Sequence, residues 1–96
     1  MAATDAHELQ VSVVSADHEV WTGTASMVVA KTTEGEIGIL PGHEPLLAIL
    51  SAGEVRITTG SGSESGSVRA NAEDGFLSVE HDTVTIVARN AALVQG

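Results

Sequence analysis

The stretch Glu34-Gly35-Glu36-Ile37-Gly38-Ile39-Leu40-Pro41-Gly42-His43-Glu44-Pro45-Leu46-Leu47 constrains the fold more than any other part of the chain. It holds three of the ten glycines and both prolines. Glycine reaches positive φ freely, and proline fixes φ near about −65° and has no N–H to donate. The direction of the backbone is therefore set at several points within a few residues. Ile37, Ile39, Leu40, Leu46 and Leu47 call for burial. Glu36, His43 and Glu44 fall at the turns, where they cannot all be core. Two readings fit these residues. One is a tight turn between two core strands. The other is a rigid loop with polar tips and apolar flanks, which is what a docking surface needs.

The rest of the chain reads as short strands. Leu9, Val11 and Val13 alternate with Gln10 and Ser12, the period of a half-buried strand. Asp17-His18-Glu19 is a polar turn, and Val20-Trp21 opens a β-branched segment that runs to Ala30. Gly23 inside it signals a bulge or bend. Leu46, Leu47, Ile49 and Leu50 could share a helix face. Pro45 and Gly53 leave little room, so a strand is expected instead. Val55 and Ile57 alternate with Arg56 and Thr58. Gly60 to Gly66 is a Gly/Ser-rich segment that reads as a flexible hairpin tip. Ser67 to Asn71 is a short strand, and Glu73-Asp74-Gly75 a turn. Leu77 and Val79 are expected to pair with Val84 and Ile86 across Glu80-His81-Asp82-Thr83. Short strands, Gly and Asp turns and no helix pattern predict an all-β fold, a β-sandwich or flattened barrel.

Length and charge narrow the function. A chain of 96 residues suits one domain, residues 1–96. A net charge of −9, with only Lys31, Arg56, Arg69 and Arg89 as fixed cations, argues against nucleic acid and against direct docking on anionic lipid. No apolar run approaches the roughly 20 residues of a membrane helix. The first eight residues lack the basic and apolar regions of a signal peptide. With no cysteine there is neither disulfide nor thiolate chemistry.

Catalytic and cofactor signals are weak. His7, His18, His43 and His81 are far apart, and none sits at ligand spacing from another. Glu36 and His43 pair across a turn only in principle, and two ligands are too few. No G-x-S-x-G elbow occurs, and no lysine follows Gly42 as a phosphate loop requires. Lys31 is the sole lysine, which raises a lipoyl- or biotinyl-carrier domain, but the flanking acidic or Met residues of such domains are missing. Trp21 reads as a core anchor in a chain with 2% aromatics. No cofactor is expected.

The ordered pattern E-G-E-I-G-I-L-P-G-H-x-P-L-L at positions 34–47 resembles the signature loop of the epsilon subunit of F-type ATP synthases. Val13-Val14-Ser15-Ala16-Asp17, Val20-Trp21-Thr22-Gly23 and Gly75-Phe76-Leu77-Ser78-Val79 resemble further strands of that family, so the likeness covers nearly the whole chain. Two departures stand out. Asp74 occupies a place where the family commonly has Gly. The sequence stops at Ala91-Ala92-Leu93-Val94-Gln95-Gly96, where members commonly continue into a pair of helices. A naturally short chain and a truncated one both fit, and the inhibition and ATP binding tied to those helices are not carried over.

The resemblance implies a flattened sandwich of two five-stranded sheets with no C-terminal helical domain. It implies a non-catalytic subunit of the central stalk, or rotor, of a proton-translocating ATP synthase. That subunit lies peripherally on the cytoplasmic face of a bacterial plasma membrane and couples ion flow to ATP synthesis. Its partners are the gamma subunit and the c-ring. By position, Glu36 matches a c-ring contact, and Ser15, His43 and Ala48 match gamma-subunit contacts. The residues by themselves keep a rival open: a free-standing β-sandwich adaptor or ligand-binding module, which would need a pocket of convergent polar groups.

Overall fold

Alternation along the chain builds the first strand and sets the pattern for the others. In a computed structural model, which describes residues 8–60 and 66–94, Leu9–Val14 forms β1, with Leu9, Val11 and Val13 buried and Gln10 and Ser12 turned outward. The following strands are β2 (Glu19–Ala25), β3 (Met27–Thr32), β4 (Gly35–Ile39), β5 (Leu46–Ile49), β6 (Gly53–Thr59), β7 (Gly66–Glu80) and β8 (Thr83–Leu93). Among the described residues there is no helix. The Leu46 segment is a strand, as expected. Pro45 starts it at a sheet edge, and its four residues give a helix no length to form.

Two expectations need correction. The segments around Ser67–Asn71 and Leu77–Val79 are not separate strands divided by a turn. They form one 15-residue strand, β7, that passes through Asp74 at φ 61°. Before Asp74 the inward side chains are Val68, Ala70 and Ala72, and after it Leu77 and Val79. A left-handed residue thus reverses which side faces inward while pairing with β8 resumes in the same register, from Glu73 opposite Asn90 to Gly75 opposite Ala88. β8 switches likewise, from Val84, Ile86 and Ala88 to the half-buried Ala91.

The second correction follows from the first. There are not two separate sheets but one hydrogen-bonded sheet of eight strands, in the order β2-β1-β8-β7-β6-β3-β4 with β5 also on β7. Because β7 and β8 run through both layers, each layer still presents five strands. One is β2-β1-β8-β7-β5. The other is β4-β3-β6-β7-β8. The chain also crosses between β2 and β3. There the Ser26 N–H and hydroxyl both donate to the Thr58 carbonyl, at 2.7 and 3.2 Å. The sheet folds over on itself, and the family of sandwiches expected from the sequence is recovered.

The core lies between the layers. Leu9, Ile39, Ile57, Leu77 and Ile86 are fully buried, with Val11, Val13, Val28, Val55, Val79 and Val84 packed among them. Full burial of one such side chain contributes roughly 1.5–3 kcal/mol. No described buried side-chain polar atom lacks a hydrogen-bond partner. β6 and β7 pair as a hairpin, Thr59 opposite Gly66. The expected flexible tip concerns residues 61–65, outside the described residues, as do His7 and the rest of residues 1–7.

Candidate docking surface

The signature stretch becomes β4, a turn and β5. Leu40-Pro41-Gly42-His43 closes a β-turn through His43 N–H donating to the Leu40 carbonyl at 3.1 Å. Proline in the second place and Gly42 at φ 90° in the third are the demands of a type II turn. The loop then crosses from the edge of one layer, β4, to the edge of the other, β5. His43 is exposed. Its Nδ1 lies 2.7 Å from the Glu44 carbonyl, which can only accept. Nδ1 is therefore the donor in this contact, and Nε2 is not engaged by it.

Glu36 sits near the other end of β4. The four residue steps from Glu36 to Leu40 span about 13 Å at strand rise, so the structure does not bring Glu36 and His43 together. Glu36 lies opposite Lys31 of β3. Arg56 reaches from β6 across Val29 and donates to the Glu36 carboxylate at 3.3 Å. Both side chains are more than half exposed, 53% and 60%. Such a pair contributes only about 0–1 kcal/mol, so another cation can take its place at little cost. Lys31, Arg56 and Arg69 share this outward face, Arg56 directly opposite Arg69. Arg69 lies 3.6 Å from Glu54.

Ser15 is placed differently from His43. It is buried, 5% exposed. Its hydroxyl lies 3.0 Å from both Asp17 Oδ1 and His18 Nδ1, and its N–H donates to the His18 carbonyl at 2.9 Å. It shapes the turn after β1. That turn is at the opposite end of its layer from His43, because Val14 pairs with Val87 while β5 begins opposite Val79. The His18 imidazole beside Asp17, 2.6 Å away, holds the Asp17 carboxyl below its ordinary 3.8, with the Ser15 hydroxyl helping. Ala48 is half-buried on β5 and lines a groove with Ile37, Thr32, Thr33 and Glu34.

What sequence reading missed lies between these positions. Ile49, Phe76, Val87 and Val14 are directly opposite one another on β5, β7, β8 and β1. They form one apolar row on the solvent side of their layer. Ile49 is 57% exposed and Phe76 39%, with Leu47 beside them at 70%. The row runs from the strand that carries Ala48 to the residue before Ser15. Its members are scattered through the chain, so only strand register reveals it. Among the described residues, no group of three or more His, Cys, Asp or Glu is positioned to hold a metal ion.

Fold and surface define an all-β sandwich with polar turns at its ends and an apolar row across one face. The family described as "ATP synthase, Delta/Epsilon chain, beta-sandwich domain" matches residues 8–94. The chain belongs to that family. It is 52% identical over 86 residues to the ATP synthase epsilon chain of Micrococcus luteus, covering 90% of this chain and 91% of the relative. It is 48% identical over 88 residues to that of Streptomyces griseus, covering 92% and 68%. To that of Frankia casuarinae it is 49% identical over 86 residues, covering 88% and 96%. Two solved structures share the fold. One is a chain of the Euglena gracilis mitochondrial ATP synthase OSCP/F1/c-ring assembly, with TM-score 0.79 and 20% identity over 91% of this chain. The other is from the central stalk/c-ring of the Tetrahymena thermophila mitochondrial ATP synthase, with TM-score 0.70 and 21% identity over 86%. This chain spans 54% and 64% of those two chains.

Proposed function

We propose that this chain is a non-catalytic rotor subunit of a bacterial, proton-translocating F-type ATP synthase. In this reading residues 1–96 are one sandwich domain on the cytoplasmic face of the plasma membrane. It joins the gamma subunit to the c-ring and supports coupling of proton flow to ATP synthesis. The observation that carries the reading is the in-register apolar row from Ile49 through Phe76 and Val87 to Val14. Apolar side chains in a continuous row, exposed at Ile49 and Phe76 and half-buried at Val87 and Val14, with polar turns around them, have the make-up of an interface centre and its rim.

Gamma docks over this row. From the row gamma extends along β5 to His43 at the other end of the layer, Ala48 lies on the edge strand beside Ile49, and Ser15 acts through the turn it holds after Val14. Glu36, on the other layer, meets the c-ring. Its weak, exposed pairing with Arg56 leaves it free to form a charge-assisted hydrogen bond with a basic group there. Stiffness comes from β7 and β8, which run through both layers and so resist their sliding. The test of the c-ring contact is Glu36→Ala in the assembled synthase. ATP-driven proton pumping should fall relative to ATP hydrolysis, with the melting temperature of the domain unchanged. Unchanged pumping in a normally assembled complex would overturn this role for Glu36.

A further inference from the structure

The signature loop is held by a residue forty positions away. The Gly42 N–H donates to Asp82 Oδ1 at 2.7 Å. Asp82 lies at the tip of the β7–β8 hairpin, where His81 at φ 51° and Asp82 at φ 59° fill the two central places of a type I′ turn. Its carbonyl also accepts the Gln10 N–H at 2.8 Å. One residue thus joins the hairpin tip, the start of β1 and the turn that crosses between layers.

Glycine would suit the backbone at position 82 better, since it has no Cβ to strain at positive φ. Glycine has no carboxylate, however. Residues 40–45 lie between strands and are not part of the sheet ladder. Their turn makes its own closing bond, His43 N–H to the Leu40 carbonyl, but that bond fixes the turn's shape and not its direction. The Asp82 carboxylate fixes the direction, with a charged acceptor on the Gly42 peptide immediately before His43.

We propose that Asp82 is a positioning residue for the docking loop. It pre-organises the Pro41-Gly42 turn so that His43 is presented to its partner without an ordering cost at binding. The proposal rests on the docking reading of this loop, and its test separates the two. Asp82→Gly keeps the positive φ and removes the carboxylate, whereas Asp82→Asn keeps an Oδ1 acceptor. In the isolated chain, Asp82→Gly should melt no lower than wild type, while its Gly42 amide exchanges roughly tenfold faster or more. Its affinity for purified gamma subunit should fall roughly fivefold to tenfold, mainly through faster dissociation, with Asp82→Asn within about threefold of wild type. A protected Gly42 amide in Asp82→Gly, or wild-type affinity despite fast exchange, would overturn it. If the wild-type chain does not bind gamma, the docking reading falls, and Gly42 exchange still decides whether the clamp exists.

Discussion

Gly75 passes so close to Val87 that a Cβ on it would lie 1.8 Å from the Val87 carbonyl oxygen and 2.5 Å from the Ala88 Cα. Both obstacles are backbone, so no rotamer change relieves them. Here β7 and β8 cross from one layer to the other, and the Gly75 carbonyl also accepts the Leu50 N–H at 3.0 Å. Gly75→Ala should therefore force the two strands apart and destabilise the domain by about 3 kcal/mol or more, at the upper end of single-residue effects. Urea unfolding of the variant checks this. A loss under about 1 kcal/mol would mean that the crossing is looser than described.

A second glycine is governed by a side chain instead. A Cβ on Gly23 would lie 2.7 and 2.8 Å from ring atoms of Trp21, which folds back along its own strand. Gly23→Ala must swing that ring off its seat against the core. The cost should be about 1–2 kcal/mol, milder than at Gly75 because the ring can move. A red shift of the single tryptophan's emission should accompany it. Unchanged emission with unchanged stability would contradict the placement of the ring.

Asp17 supplies a pH prediction. The folded-state pKa is lowered, chiefly by the hydrogen bond with His18 and then by that with Ser15. A depressed carboxyl contributes stability that is fully present above the unfolded value, near 3.8. That contribution is lost as pH falls through the lower folded-state value. NMR titration of the Asp17 carboxyl should give a midpoint below 3.8, and His18→Ala should move it upward. A wild-type midpoint at or above the ordinary value would contradict the turn as described.

The legible parts of the fold were those in which local pattern and final environment agree. Leu9–Val13 and Val55–Ile57 alternate and lie half-buried in strands. The hairpin expected from Leu77, Val79, Val84 and Ile86 forms in that register. Glu73-Asp74-Gly75 reads as a turn because its residues favour one. In the structure the positive φ of Asp74 moves the strand between layers instead of reversing it, because pairing with β8 continues on both sides. Only that long-range pairing makes the difference, and it leaves no local trace. The surface divides the same way. Pro41 and Gly42 announce the loop and its turn type. Neither the Asp82 tie nor the row of Ile49, Phe76, Val87 and Val14 has any sequence spacing to reveal it.

The central claim is that gamma docks over this row. The most direct test titrates purified gamma subunit into the wild-type chain, Ile49→Asp and His43→Asp. Ile49 is more than half exposed, so its replacement should leave the melting temperature within a few degrees. The wild-type chain should bind one to one. Ile49→Asp should weaken binding by about 2 kcal/mol, roughly thirtyfold, as expected when a charge replaces an apolar side chain buried on docking, and His43→Asp should weaken it less. A folded wild-type chain that does not bind, or an Ile49→Asp variant that binds as tightly as wild type, would contradict the account.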